Sequence, residues 1–385
     1  MSMSDPIGVD LARRIYDYGL TADDLGPRQH GIAAEVKARA ALDIDWPAGL
    51  APTPRELPVE PGVGDPMPRA DVLVITWTAA EMLALADTLT PGVNPRTRWY
   101  RYARNFESYL PEIRAGAPAR FAGRLGSYYP TTIGSKSVVC VKCELHLNQD
   151  GVKTGAGTAT LPVARFLEQI YAEVRPKLVI TVGTAGGTLP NAELGDVMIT
   201  RAVKFKCTNE FRSEPFNGRT YTSTARFKRE HLATAIALMS KHAAQLTEPD
   251  FGPPTEFYDF PGPNVPGHVN TPSILIEGTH FAKGLPMLTT DFFEFGTSTN
   301  GLEAEGCGVE MGDAVFGLVG ERLGPSGPKW LVIRNASDPR INGNLPLGPP
   351  SALDMQAHWA VWYYEAFGYW TSVNSAIATW SQIAA

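Results

Sequence analysis

Residues 177–187 read KLVITVGTAGG, a continuous apolar run that ends in a cluster of glycines. An unbroken apolar run of this kind is typical of a strand buried on both faces of a parallel sheet. The preceding segment, ATLPVARFLEQIYAEV at 159–174, carries apolar residues at helical spacing, and the following one, GDVMITRAVKF at 195–205, returns to strand character. This alternation of helix and strand predicts an α/β fold.

The same pattern extends to both sides of this stretch. The strand DVLVITW at 71–77 is followed directly by the helical pattern TAAEMLALADTL. Further on, PMLTTDFFEF and GCGVEM have strand character, a helix is predicted from about Asp313 to Leu323, and KWLVIRNASD at 329–338 is another buried strand. Ser351 and Asp354 resemble a capping box that opens a final helix rich in Trp and Tyr. The sequence thus predicts a mixed, mostly parallel sheet flanked by helices.

The predicted domain organisation is one main unit with two appendages. Residues 1–69 form an N-terminal arm with helical patterns at 8–19 and 31–43, followed by a linker whose seven prolines between 46 and 68 exclude regular structure. Residues 70–385 form the α/β domain. Within it, residues 206–285 are rich in Pro, Gly, Asn and Thr apart from a helix near 227–244, and are predicted to be an insertion that shapes the site.

Composition excludes several classes of function. The 385 residues are 44% apolar and 19% charged, and the net charge of -6 is spread without a basic stripe, so nucleic acid is not an expected partner. No apolar stretch approaches the roughly 20 residues of a membrane helix, and the N-terminus lacks a secretion signal. The sequence therefore predicts a cytoplasmic protein without a membrane partner.

The sequence gives no sign of a metal or cofactor. Cys140 and Cys143 have C-x-x-C spacing, but they lie in the strand-like run VVCVKCELH, where residues three apart point to opposite faces. Cys207 and Cys307 complete a set too small for a disulfide framework, and the seven histidines are scattered. The G-x-x-G-G at 183–187 lacks the spacing of a dinucleotide fingerprint. We expect reduced thiols, no metal and no cofactor.

Three strand ends deliver small or acidic residues directly after apolar runs: Val182–Gly187, Glu310–Asp313 and Ser337–Asp338. Ligands of open α/β sheets bind at such carboxyl ends. Each motif alone is also compatible with an ordinary turn or helix cap. Their combination predicts one binding site at the carboxyl edge of the sheet.

The order and spacing of these motifs resemble the purine nucleoside phosphorylase and uridine phosphorylase superfamily, and most closely its methylthioadenosine/S-adenosylhomocysteine nucleosidase branch. The resemblance covers roughly residues 70–340 and implies a single phosphorylase/hydrolase-like domain that acts on a small-molecule nucleoside. Six segments carry it in the family's order: VITWTAAE at 74–81, TGAGTATLPVA at 154–164, VGTAGGTLPNAELGDVMIT at 182–200, LTTDFF at 288–293, GVEMGDA at 308–314 and VIRNASD at 332–338.

The resemblance implies two catalytic carboxyls. Asp338 would protonate the departing base at N7, and Glu81 would orient the attacking water, since the two groups must hold different protonation states. The alternatives are that Asp338 only caps a turn and that Glu81 is a solvent-facing residue at a helix start. The resemblance also assigns Phe293 to the face of the purine. Phe292 would take this place if the alignment slips, and both phenylalanines could instead be part of the core. Met311 would contact the sugar, Thr184 the sugar or the water, and Gly186, Gly187 and Ser337 would lie at the edge of the ligand.

One residue departs from the family pattern. The family usually reads V-E-M-E, whose second glutamate holds both ribose hydroxyls, whereas this chain reads Val309-Glu310-Met311-Gly312. Gly312 cannot hold a diol. Substitution by Glu310 or Asp313 is one hypothesis, and an altered sugar such as a deoxyribose, or a lost activity, are two others.

The same comparison favours hydrolysis over phosphorolysis. The phosphorylases bind phosphate with an arginine just before the glycine turn, where this chain has Thr181, and with a Gly-Asp-Pro-x-x-Arg stretch that is missing here. The runner-up functions are a nucleoside phosphorylase and a catalytically altered nucleoside-binding protein. Family members are oligomers, and the aromatic C-terminal helix with the N-terminal arm could supply the contact surface, so a homo-oligomer is expected.

Overall fold

The computed structural model describes residues 42–246, 272–345, 347 and 355–385. The strands in this part of the chain are β1 Thr53–Pro54, β2 Val72–Thr76, β3 Tyr100–Tyr102, β4 Gly126–Ile133, β5 Lys136–Cys143, β6 Lys153–Gly155, β7 Thr158–Ala159, β8 Leu178–Gly187, β9 Val197–Thr200, β10 Ala202–Phe205, β11 Thr220–Thr222, β12 Ile274–Ile276, β13 Met287–Thr289, β14 Gly308–Glu310 and β15 Lys329–Asp338.

The α-helices are α1 Ala79–Leu89, α2 Pro95–Arg98, α3 Phe106–Tyr109, α4 Pro118–Ala122, α5 Leu147–Asp150, α6 Pro162–Val174, α7 Leu232–Ser240, α8 Ala314–Leu323 and α9 Met355–Ala384. Short 3-10 turns follow α3, α7 and α8, and another precedes β14. None of the helices in the described part of the chain is long and apolar enough to span a bilayer.

All strands except β6 and β7 belong to one mixed sheet. Its centre is parallel: β8 pairs in parallel with β2 on one side and with β15 on the other, and β5 continues in parallel beyond β2. Antiparallel pairings join β4 to β5 and β10 to β11, and they also join β14 to β8 and β9 to β15. Since β2, β8 and β15 run in one direction, their carboxyl ends share an edge. The predicted mixed sheet flanked by helices is confirmed.

The residues of β2 alternate between two cores. Leu73 and Ile75 pack on one face against α6 and α8, and Val72 and Val74 pack on the other against α1 and α9. A strand buried on both faces reads as a nearly continuous apolar run, because each face is covered by helices. The two helical layers fix β8 and its neighbours, and with them the carboxyl edge of the sheet.

The proline-rich segment is packed against the domain. Thr53 and Pro54 pair with Thr132 and Thr131 of β4, so the prediction that this segment has no regular structure is wrong for these two residues. An outermost strand tolerates proline because its outer side needs no amide hydrogen. The ring of Trp46 also packs 4.8 Å from that of Trp380 in α9. The predicted helix at 8–19 and nearly all of that at 31–43 lie outside the described residues, and the boundary at 69/70 stays a prediction.

The predicted insertion contributes to the main sheet. Its β11 pairs with β10 and its β12 pairs with β9, and the predicted helix near 227–244 is confirmed as α7. Residues 247–271 lie outside the described part, as does the predicted capping box of Ser351 and Asp354. Helix α9 is almost entirely buried within the chain, so its aromatic residues offer no free apolar surface for an oligomer contact. The homo-oligomer stays a prediction without that support.

Candidate active site

A cavity opens at the carboxyl ends of β2, β8 and β15, beside β14. Ligands of open α/β sheets bind at this edge. Eight of the ten predicted site residues line it, and Gly187 and Asp313 do not. The lining residues are Trp77, Thr78, Glu81, His146, Thr184, Ala185, Gly186, Phe293, Glu294, Val309, Glu310, Met311, Gly312, Arg334, Ser337, Asp338 and Tyr364.

Asp338 is the last residue of β15 and is directed into the cavity by a β-bulge. Ala336 pairs with Ala185, but the next pair is Asp338 with Gly186, so Ser337 is the extra residue. A Cβ built on Gly186 would lie only 2.9 Å from Asp338 Oδ2, so the strand needs a glycine there. Gly187 follows Gly186 in β8, and a Cβ added to Gly187 would lie 3.2 Å from the Asp338 carbonyl oxygen.

The Asp338 carboxyl is buried and has few partners. Ser337 donates its hydroxyl to Oδ1 over 2.8 Å, whereas Oδ2 has no hydrogen-bond partner among the described residues. Burial raises the pKa of Asp338 to about 7, and the bond from Ser337 opposes this only in part. Asp338 can therefore hold a proton near neutral pH.

Glu81 lies at the third position of α1 and forms a capping box with Thr78. Its Oε2 accepts hydrogen bonds from the Thr76 hydroxyl and from the backbone amides of Trp77 and Thr78, at 2.8 to 3.0 Å. Its Oε1 accepts from both the amide and the hydroxyl of Thr184, each at 2.8 Å. This side chain is 3% exposed, so the alternative of a solvent-facing glutamate is wrong.

The surroundings of Glu81 favour its charged form. Burial by itself would raise the pKa of Glu81, but the Arg334 charge and the backbone amides outweigh burial and hold this pKa below its usual value. Gly183 makes room for the carboxylate: it has φ of 153° in the middle of β8, and an added Cβ would lie 2.2 Å from Glu81 Oε1. The structure thus keeps an ionised carboxylate at this end of the cavity.

Arg334 is the main site residue that the sequence interpretation missed. Its guanidinium binds both carboxylate oxygens of Asp313, at 2.9 and 2.6 Å, and lies 3.5 Å from oxygens of Glu81 and Glu310. It also lies 4.9 Å from the centre of the Trp77 ring. A buried arginine must be paired with acids, so an Arg inside the apolar run WLVIRNAS was the available signal.

Asp313 and Glu310 occupy different places beside Arg334. Asp313 is fully buried and does not line the cavity, whereas Glu310 does. Glu310 accepts from the amides of Gly312 and Asp313 and from the Thr289 hydroxyl. Burial and the charge of Asp313 raise the pKa of Glu310 to about 8 in spite of these bonds and of Arg334.

The aromatic residues of LTTDFF face two different spaces. Phe293 lines the candidate site together with Met311, whereas Phe292 lines a separate surface cavity beside Arg114 and Lys153. The slipped alignment with Phe292 over the base is therefore wrong. The ring of Phe293 lies 5.8 Å from that of Phe295, in a tilted arrangement.

The glycine turn of TGAGT does not reach the candidate site. It forms the tip of the β6–β7 hairpin, and Gly155 and Gly157 line the same surface cavity as Phe292. Helix α6 begins at Pro162, after the hairpin has ended at Ala159. The insertion also contributes none of its described residues to the candidate site, contrary to expectation.

Further lining residues were missed, among them Trp77, His146, Glu294 and Tyr364. Burial raises the pKa of Glu294, which lies beside Phe293. These residues lie in loops and in α9. No local sequence pattern shows that these segments approach the edge of the sheet.

The cysteines lie away from the cavity. Cys140 and Cys143 are buried in the two cores on opposite faces of the sheet, as their spacing in a strand predicted. Burial raises the pKa of both thiols, so they are held in the unreactive form.

Comparisons with known proteins agree with the sequence motifs. The phosphorylase superfamily model matches residues 98–255, a segment that contains Thr184, Gly186 and Gly187. No curated protein matches the sequence significantly.

Three solved structures illustrate the structural likeness. The 5'-methylthioadenosine/S-adenosylhomocysteine nucleosidase of Neisseria meningitidis is 16% identical, with a TM-score of 0.41 over 81% of this chain and 98% of its own. Futalosine hydrolase of Helicobacter pylori is 11% identical, with a TM-score of 0.42 over 80% and 96%. The 5'-methylthioadenosine nucleosidase of Arabidopsis thaliana is 15% identical, with a TM-score of 0.41 over 81% and 94%.

These structural likenesses are distant, so the family assignment depends on the sequence model and on the ordered motifs. The match confirms, over residues 98–255, that this chain is related to the phosphorylase superfamily.

Proposed function

We propose that this protein hydrolyses the N-glycosidic bond of a nucleoside, with Asp338 as the general acid. The observation that carries the proposal is a pair of buried carboxyls in one cavity whose pKa values are shifted in opposite directions. The pKa of Asp338 is raised to about 7, and that of Glu81 is held below its usual value. Such divergence is the signature of an acid and a charged partner that act on one bond.

The placement of the two carboxyls suits a bond between a base and a sugar. Glu81 lies against Gly183 and Asp338 against Gly186, three residues further along β8. Both carboxyls line the same cavity, so a ligand bound there can lie between them. The flat face of Phe293 is suited to stack on a base.

Each group then has a distinct role in the reaction. Asp338 gives its proton to a ring nitrogen of the base as the carbon–nitrogen bond breaks and the electron pair leaves with the base. The sugar becomes cation-like, and the negative charges of Glu81 and Asp313 exceed the single positive charge of Arg334. Water adds to the anomeric carbon and releases a proton to the solvent. Glu81 and Thr184 fix the polar surface on which that water lies.

The charges of the cavity favour water over phosphate as the nucleophile. Arg334 is the only Lys or Arg that lines the cavity in the described part of the chain. Its charge is already shared among Asp313, Glu81 and Glu310. A phosphate dianion would therefore meet surplus negative charge and no available clamp.

The test is to incubate the protein with adenosine, inosine, 5'-methylthioadenosine and their deoxy counterparts, with and without phosphate, and to measure free base. We expect base release without phosphate for at least one of them. Release that requires phosphate would replace the hydrolase with a phosphorylase. Binding of a nucleoside without any base release would replace it with a binding protein.

A further inference from the structure

The wall of the cavity beside Met311 is aromatic. Trp77 lies directly over Gly312: an added Cβ at Gly312 would lie 3.0 Å from indole Cζ2, 3.3 Å from Cε2 and 3.5 Å from Cη2. Any side chain at this position would press on the indole. The glycine and the tryptophan are therefore a matched pair, and the family departure at Gly312 has a structural counterpart.

The indole is fixed in place on several sides. Its Nε1 donates to the Leu145 carbonyl over 3.2 Å. Phe316 packs edge-on at 5.8 Å, and the Arg334 guanidinium lies 4.9 Å from the ring centre. Because its polar atom is already used, Trp77 offers only carbon to a ligand in the cavity.

The neighbouring carboxylates are not available to receive sugar hydroxyls. Asp313 is fully buried and is bound by Arg334. The Glu310 oxygens already accept hydrogen bonds from two backbone amides and from the Thr289 hydroxyl. Glu81 accepts five bonds within 3.0 Å from Thr76, Trp77, Thr78 and Thr184. The structure therefore supports neither Glu310 nor Asp313 as a substitute diol-binding residue.

We propose that Trp77, seated on Gly312, makes the site selective for nucleosides whose sugar lacks a ring hydroxyl, of the 2'-deoxy class. This inference rests on the proposed function, because that function places the sugar toward Glu81, and the Trp77 amide donates to the Glu81 carboxylate. A hydroxyl against the indole loses its water and gains no partner. Rejection by an apolar wall of this kind is about 10- to 100-fold.

The test compares binding, because a 2'-hydroxyl changes the chemical lability of the glycosidic bond by itself. Dissociation constants of adenosine and 2'-deoxyadenosine, and of inosine and 2'-deoxyinosine, are measured by calorimetry on the Asp338→Asn variant, in which turnover is expected to be slow. We expect the deoxynucleoside of a bound pair to bind about 10-fold or more tightly. Adding Trp77→Ala should bring the ratio close to one, and adding both Trp77→Ala and Gly312→Glu should favour the ribonucleoside.

Trp46→Ala is the matched control, since this tryptophan packs on Trp380 and does not line the cavity, and it should leave the ratio unchanged. If Trp77→Ala does not fold, Trp77→Phe should still lower the ratio. The inference would be overturned if the Asp338→Asn variant bound the ribonucleoside as tightly as the deoxynucleoside or more tightly. It would also be overturned if Trp77→Ala left the ratio of the two dissociation constants unchanged. Base release by the unmodified protein tests the hydrolase separately, and binding of no nucleoside at all would overturn both.

Discussion

The two ends of the cavity hold carboxyl groups in contrasting surroundings. At the Asp338 end one oxygen accepts a single hydroxyl and the other has no partner among the described residues. At the Glu81 end the two oxygens accept five short hydrogen bonds and Arg334 lies nearby. Both side chains are almost fully buried. Burial alone therefore does not set the protonation state, which at Glu81 follows from the Arg334 charge and then from the backbone donors.

The largest expected effect comes from removing the acid at the sparsely bonded end. Asp338→Asn keeps the shape of the side chain but cannot deliver a proton, so kcat/KM for base release should fall about 10²- to 10⁴-fold. Steady-state kinetics with any cleaved nucleoside measures this fall. Ser337→Ala is the matched comparison and should cost much less. Unchanged turnover in Asp338→Asn would remove Asp338 from the mechanism.

The next largest effect concerns the densely bonded end. Arg334→Met leaves Asp313 buried without its bidentate partner and removes the charge beside Glu81 and Glu310. Loss of one partner from a buried ion pair costs about 3–5 kcal/mol of unfolding free energy. Urea unfolding measures this loss. Arg219→Met, which breaks an exposed pair with Glu321, should cost much less. Equal losses in the two variants would contradict the account of this end.

The raised pKa of Asp338 also predicts a pH-dependent difference in stability. The unfolded carboxyl ionises near its ordinary pKa of 3.8, whereas the folded one ionises only at about 7. Rising pH between these values therefore favours unfolding of the unmodified protein but not of Asp338→Asn. The variant should gain a few kcal/mol relative to the unmodified protein from about pH 4 to pH 7, and no more above it. Thermal unfolding across this range would show a constant difference if the pKa were normal.

The sequence predicted the central elements of the fold well. The predicted strand at 329–338 is β15, and the predicted helices at 159–174 and 313–323 agree with α6 and α8 within three residues. These elements have long apolar patterns whose period is set by burial on one or two faces. The two-residue strand β1 was missed because its pairing depends on a partner almost eighty residues away, not on local preference.

The candidate site was predictable in part. Asp338, Glu81 and Phe293 come from motifs in which residue type and order carry the information. Arg334 and Trp77 were missed as partners because their roles depend on contacts across the sheet, with Asp313 and Gly312 respectively. The sequence also does not show that Gly312 lies against the Trp77 indole.

The smallest effect concerns Thr184, which belongs to the densely bonded end. Thr184→Val removes one of the five hydrogen bonds to Glu81 and preserves the amide bond. A single hydrogen bond to a charged group contributes about 1.5–3 kcal/mol at most, and the remaining donors keep Glu81 in place. We expect kcat/KM to fall roughly 10-fold or less, with the pH dependence unchanged. A loss as large as that of Asp338→Asn would give Thr184 a direct part in the chemistry.

The measurement that tests the central claim most directly is the pH dependence of kcat/KM for base release in phosphate-free buffer. The acid must be protonated to act, and the pKa of Asp338 is raised to about 7. The account predicts a rate that falls as pH rises through about 7, and the loss of this limb in Asp338→Asn. A rate that rises through pH 7, or base release that appears only with phosphate, would contradict it.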